Sequence, residues 1–237
     1  MKQIIAMGGG GFLMDENPLL DDYILSCADG RNSRVCFLAT ASGDSDRMLV
    51  NFYTALGPRC QASHLPLFRR EHADVAAHLL NQDVIYVGGG NTPNMLAVWR
   101  VHGVDSALVR AYDAGIVLCG VSAGGLCWFE TGVTDSFGGP LASLNGGLGI
   151  LPGSFCPHYN GDPRRRPTYQ RVVSEGMQSG FAADVGVGLH FVDGALAEVV
   201  SSRPDAAAYR LERREGTVHE EKLVPRYLGS SSNDKTP

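Results

Sequence analysis

Ile116-Val117-Leu118-Cys119-Gly120-Val121-Ser122-Ala123-Gly124-Gly125 is the most informative stretch of this 237-residue chain. Its four leading apolar residues suit a strand covered on both faces, as in a parallel sheet between layers of helices. Gly120, Ser122 and Gly124 then stand in the spacing G-x-S-x-G, in which a strand turns sharply into a helix and lifts a serine hydroxyl above the sheet edge. Small flanking residues are needed there because backbone passes close to backbone. The N–H of Ala123 would point at an oxyanion forming on an attacked carbonyl. A glycine-rich strand-to-helix turn with an incidental serine is the blander reading of the same residues.

Working outward, apolar runs alternate with helical patterns. Strands are expected at residues 2–7, 34–40, 62–67, 83–87 and 115–120, and helices at 18–28, 46–56, 72–81, 94–102 and 106–114. From 132 to 167 Gly, Pro and aromatic residues dominate, which reads as turns. One more helix is expected at 171–179, and short strands at 185–189, 195–201, 207–213 and 216–223. The expected fold class is α/β: a three-layer sandwich around a mostly parallel sheet, with a C-terminal antiparallel strand appendage. One domain over 1–228 and a disordered tail over 229–237 are expected.

Composition narrows the function. Thirty glycines in 237 residues is nearly twice the usual share of roughly 7%, and they cluster at strand ends. Net charge is -5, and no basic face beyond Arg164-Arg165-Arg166 suggests a nucleic-acid or anionic-membrane partner. No apolar run approaches the ~18 residues that span a bilayer. Residues 1–7 read as a first strand, not a signal peptide. Six cysteines without a C-x-x-C pair read as reduced thiols in a cytoplasmic protein, with no thiolate zinc site.

Three further segments carry candidate chemistry. Asp83-Val84-Ile85-Tyr86-Val87-Gly88-Gly89-Gly90-Asn91-Thr92 is another strand running into glycines and a helix. Its free N–H groups could supply an oxyanion donor or grip a carboxylate. Neither this loop nor Gly8-Gly9-Gly10-Gly11 has the G-x-G-x-x-G spacing of a dinucleotide site, and the phosphate-loop lysine is missing. Phe155-Cys156-Pro157-His158-Tyr159-Asn160 offers His158 as a general base for Ser122. In Thr134-Asp135-Ser136, Asp135 could orient that base or simply make an Asx-turn.

Together these segments resemble the peptidase E (aspartyl dipeptidase) family of serine peptidases. The carriers are Gly88–Thr92 (GGGNT), Gly120–Gly125 (GVSAGG), Thr134-Asp135 and Pro157-His158, in that order. The resemblance implies a class I glutamine amidotransferase-like, flavodoxin-like fold, Ser122 as nucleophile and His158 as base. It also implies an oxyanion hole at Gly90 and Ala123, and Asp135 as third member. Related enzymes take a glutamate from the segment matching residues 188–194; this chain has none there, which leaves Asp193 or His190 as substitutes. The implied substrate is a small peptide, a dipeptide with an N-terminal aspartate, and no metal or cofactor is required. Arg164, Arg165, Arg166 and Arg171 follow His158 closely, and Arg166 and Arg171, with Asn91 and Thr92, are candidate substrate-binding residues.

Two other readings stand beside this one. An α/β-hydrolase esterase would use Ser122 with Asp205 and His219. A non-catalytic amidotransferase-like binding domain is the other; Cys119 and Cys127 flank the turn, but neither occupies it. The expected state is a monomer or a homodimer.

Overall fold

A computed structural model describes residues 1–13, 17–28, 32–69 and 72–229; the expected tail from residue 230 onward lies outside them. Five parallel strands form the centre of an eight-stranded sheet: β1 (Gln3–Met7), β2 (Arg34–Leu38), β3 (Gln61–His64), β4 (Val84–Val87) and β5 (Val117–Val121). In space the parallel run reads β1-β5-β4-β2-β3, so β5 is interior, paired with β1 on one side and β4 on the other. On the far side of β1 the sheet continues through β10 (Val187–Val192), which is antiparallel, then β11 (Ala195–Ser201) and β14 (Arg226–Tyr227).

Both faces of this sheet are covered, which explains its unbroken apolar strands. One face packs Ile5, Met7, Phe37, Tyr86 and Val121 against α1 (Leu19–Cys27) and α2 (Asp46–Leu56) through Leu20, Ile24, Phe52 and Leu56. The opposite face packs Ile4, Ala6, Leu38, Ile85 and Leu118 against α3 (Val75–Leu80), α4 (Thr92–His102) and α5 (Val104–Asp113), with Trp99 fully buried. Helix α4 has clear ends: Asn91 accepts from the Asn94 N–H at 3.0 Å, and Gly103 closes it in the left-handed region at φ 71°.

Beyond Ser122 the structure departs from expectation. After a single turn, α6 (Ala123–Leu126), comes a second sheet of six strands in the order β13-β12-β9-β8-β6-β7. Its members are β6 (Phe129–Thr134), β7 (Ala142–Asn145), β8 (Leu151–Cys156), β9 (Gly180–Ala183), β12 (Ala208–Arg214) and β13 (Thr217–Leu223). The stretch between 132 and 167, expected as turns, keeps most of its residues in turns and loops but also holds the end of β6 and all of β7 and β8. The β12–β13 hairpin is no free appendage: β12 pairs with β9 and extends this sheet. Helix α7 (Arg165–Ser174) begins six residues earlier than expected, because Pro167 falls in its first turn, where a missing N–H costs nothing. Tyr169, Val172 and Val173 of α7 pack on Val133, Cys156, Ala182 and Leu211 of the second sheet.

The packing generates one unusual charge. Asp21 is 2% exposed beside Tyr86, and burial pushes its carboxyl up to about 7. Ionising it costs more in the folded than in the unfolded chain, so this stability is complete below about pH 4 and lost as pH rises to 7. Urea unfolding is expected to give a free energy on the order of 2 kcal/mol lower at pH 8 than at pH 5 from this group. Asp21→Asn should flatten that slope.

Candidate active site

Five chain segments meet at the carboxyl edge of the first sheet. β1 ends in the Gly8 to Gly11 loop, β4 in Gly88 to Gly90, and β5 in Ser122. Strand β10 runs the other way, so the segment entering it, Asp184 to Gly186, lies at the same edge, with Gly188 opposite Met7. From the second sheet, parallel strands β8 and β9 end side by side, and β8 delivers Pro157 and His158 to this edge.

Ser122 stands at φ 57°, ψ -113°, a conformation that costs a non-glycine residue of order 1–3 kcal/mol. Its N–H donates to the Met7 carbonyl at 3.0 Å, and its carbonyl accepts from Gly125 and Leu126 at 3.0 and 2.8 Å. The flanking glycines are required by space. A β-carbon on Gly120 would sit 2.3 Å from the Gly124 oxygen, and one on Gly124 would sit 2.2 Å from the Val87 oxygen. The β4 loop lies against the serine: a β-carbon on Gly89 would be 3.5 Å from Ser122 Cβ. Gly90, at φ 141°, presses on Ala41, whose carbonyl accepts from the Asn91 N–H at 2.8 Å. Among the described residues, the N–H groups of Gly90 and Ala123 carry no hydrogen bond.

His158 meets Ser122. Its Nε2 lies 2.7 Å from Ser122 Oγ, although the two are 36 residues apart. The histidine backbone is also in the left-handed region, at φ 53°, and its N–H donates to the Gly8 carbonyl at 2.8 Å. Burial, reinforced by the Arg165 charge and opposed by Asp135, lowers the imidazole to about 4. The ring is therefore neutral at pH 7, as a base must be, and the 2.7 Å bond places its lone pair on the serine hydroxyl when the proton sits on Nδ1.

The other expected residues are distributed differently. Asp135 does not hold His158: its Oδ2 accepts from Arg165 Nη2 at 3.0 Å, and its side chain is 65% exposed. Asp193 lies at the opposite edge of the sheet, in the β10–β11 turn, where Oδ1 accepts the Lys2 N–H. His190 is midway along β10, engaged with Tyr23 at 2.7 Å and Gln3 at 3.0 Å. Neither can orient His158, because an antiparallel β10 carries everything after Gly188 away from the site. Asn91 and Thr92 are tied to the loop after Asp135: Asn91 Nδ2 donates to the Ser136 carbonyl at 2.8 Å, and the Thr92 N–H to Ser136 Oγ at 3.1 Å. Arg166 pairs with Glu220 and lies over the Tyr159 and Tyr209 rings, while Arg171 pairs with Glu175 on the exposed face of α7. Arg164 pairs with Asp162. His219 and Asp205 are exposed, and the imidazole on Ser122 Oγ is that of His158, so the esterase arrangement is not formed. Cys119 and Cys127 are buried thiols whose ionisation burial opposes.

Sequence reasoning missed two participants. Arg165 is 4% exposed and is the cation whose charge reaches His158, yet nothing local set it apart from its neighbours. Ser136 hooks the loop after Asp135 onto the start of α4; the visible signal was its spacing from Thr134, whose Oγ1 it meets at 2.8 Å. Among the described residues, no group of three or more His, Cys, Asp or Glu could hold a metal ion.

The sheet thus carries a hydroxyl–imidazole pair at its carboxyl edge, with the serine on a strand-to-helix turn. The chain belongs to peptidase family S51, whose model matches residues 4–199. It is 50% identical over 232 residues, 97% of this chain and all of the relative, to the Uncharacterized peptidase YgaJ of Bacillus subtilis. A second relative, the Uncharacterized peptidase Lmo0363 of Listeria monocytogenes, is 28% identical over 153 residues, covering 60% of this chain and 72% of that one. Two crystal structures share the fold at 19% identity. A peptidase from an acI-B1 Actinobacterium has a TM-score of 0.65, covering 95% of both chains. A putative peptidase E protein from Listeria monocytogenes EGD-e has 0.57, covering 94% of this chain and 99% of that one. Among the described residues, no helix is long and apolar enough to cross a membrane.

The electrostatics are directly testable by proton NMR. The His158 imidazole is expected to titrate with a midpoint near pH 4. Arg165→Met removes the cation that opposes its protonation, so the midpoint should rise.

Proposed function

We propose that the protein is a serine peptidase that hydrolyses small peptides, most readily dipeptides with an N-terminal acidic residue, through an acyl-enzyme. The observation that carries this reading is the 2.7 Å contact between Ser122 Oγ and His158 Nε2 on a strained strand-to-helix turn. Ser122 Oγ attacks the peptide carbonyl carbon while His158 Nε2 takes the hydroxyl proton. The carbonyl oxygen, now negative, is met by the unengaged N–H groups of Gly90 and Ala123. Collapse breaks the C–N bond, and the imidazolium gives its proton to the leaving amine. A water molecule, deprotonated by His158, then cleaves the acyl ester and restores Ser122.

The preference for an acidic residue rests on the family resemblance and on Arg165. Three of the four arginines after His158 are matched to Asp162, Glu220 and Glu175 away from the serine. Arg165 is left as the cation near the reacting groups, with Asp135 beside it. Arg165 is enclosed, so it acts on a substrate carboxylate through its field and not by direct pairing, while the exposed Asp135 can meet the free ammonium. The six unpaired cysteines suit a reducing cytoplasm, and the chain would act as a monomer or a homodimer.

A dipeptide panel tests the proposal: Asp-Leu, Glu-Leu, Ala-Leu, Leu-Asp and N-acetyl-Asp-Leu, each with wild type and Ser122→Ala. Cleavage is expected for unblocked Asp-Leu, with a loss of at least about 10^3-fold in the variant. Equal rates with and without the Ser122 hydroxyl, or no hydrolysis of any member, would overturn it.

A further inference from the structure

We infer that Ser122 and His158 work as a two-residue unit, and that the imidazole is held by a backbone and apolar seat made from Gly8, Gly9 and Val185, not by a carboxylate. This rests on the peptidase reading above and specifies how its base is positioned.

The Nδ1 side of the ring is where a third member would act. A β-carbon on Gly9 (φ 157°) would lie 3.0 Å from His158 Nδ1 and 3.1 Å from both methyl carbons of Val185. Nδ1, the Gly9 backbone and the Val185 side chain therefore bound one small space. A β-carbon on Gly161 would likewise touch Val185 Cγ2 at 3.4 Å and His158 Cβ at 3.5 Å, so Val185 flanks the histidine along its length. Among the described residues, Nδ1 makes no hydrogen bond, while Nε2 makes its one with Ser122.

No carboxylate among the described residues hydrogen-bonds the imidazole. Asp135 binds Arg165. Asp193 is at the far edge of the sheet. Asp184, the neighbour of Val185, makes no bond to the ring: its Oδ2 accepts from the Ala207 N–H at 2.9 Å, its buried Oδ1 has no hydrogen-bond partner among the described residues, and its charge does not reach His158. The seat is instead clamped by main chain. His158 N–H binds the Gly8 carbonyl at 2.8 Å, Gly8 N–H the Val187 carbonyl at 3.0 Å, and Gly186 N–H the Gly9 carbonyl at 3.1 Å. The Val185 N–H donates to Asn160 Oδ1 at 3.0 Å, tying this segment to the His158 turn. Ring orientation, which a triad obtains from its carboxylate, comes here from a fixed left-handed backbone and close packing. Stabilisation of the imidazolium during acylation is the part not replaced.

Val185 and Gly9 are thus positioning residues, and the test reads the seat separately from turnover. Val185→Glu and Val185→Asp would put a carboxylate against Nδ1. The NMR midpoint of His158 is expected to rise by about one pH unit or more in either. Asp135→Asn should lower that midpoint slightly and cost less than about tenfold in kcat, whereas loss of a triad aspartate costs about 10^4. Should neither Val185 variant fold, the wild-type spectrum decides: a far-downfield Nδ1 proton, the mark of a carboxylate-bound imidazole, is expected to be absent. An unmoved midpoint in a folded Val185→Glu protein, a 10^3-fold loss in folded Asp135→Asn, or that downfield proton would each overturn the inference. Because titration needs no substrate, failure of the dipeptide panel would leave the seat measurable and would count against the peptidase reading alone.

Discussion

The structure turns on close backbone contact between β5, the turn at Ser122, and the two strands beside it. Ser122 occupies a conformation that its own side chain disfavours, and three hydrogen bonds to its peptide groups hold it there. Those bonds form only because Gly120 and Gly124 let α6 settle onto β5 and β4 with no intervening side chain. Burial of the parallel sheet on both faces makes this rigid, since the strands that anchor the turn have no freedom to shift. The same edge collects the β1 and β4 loops, so one constraint positions the Ser122 hydroxyl and the amides of Gly90 and Ala123 beside it.

Electrostatics follow from burial. The imidazole is drawn below its ordinary range by desolvation first and by Arg165 second, and Asp135 opposes this from a distance without touching the ring. Arg165 is itself nearly inaccessible, and its pairing with an exposed carboxylate keeps a buried cation compensated. The remaining arginines of the cluster serve architecture. Glu220, although in an edge hairpin, gathers Arg166, Tyr159 and Gln170, and so locks β13 to α7 and to the turn after His158.

The first half of the chain was legible because β1, β2, β4 and β5 are largely apolar on both faces and glycine turns stand between its elements. Every parallel strand of the central sheet, and the serine turn after β5, fell where the residues pointed. β12 and β13 were legible as strands, but β6 and β8, with sequences FETGVT and LPGSFC, contain Gly or Pro, and the four residues of β7, ASLN, are too short to show a pattern. Proximity of His158 to Ser122 is set by the second sheet sharing a core with the first, with Phe129 and Phe181 packed on Phe191, which no local pattern encodes; only the resemblance brought them together. The same distance effect misdirected the charge reading. Arg165 and Arg166 find partners 30 and 54 residues away, so a run that reads as free cations is internally neutralised.

The central claim is that Ser122 is a nucleophile activated by His158. A fluorophosphonate, which couples to activated serines, followed by peptide mass spectrometry, addresses it without knowledge of the substrate. The account predicts a single adduct on Ser122 in the wild-type protein, formed at least about 10^2-fold more slowly in His158→Ala. Modification at another serine, or labelling of Ser122 at an equal rate without the imidazole, would contradict it.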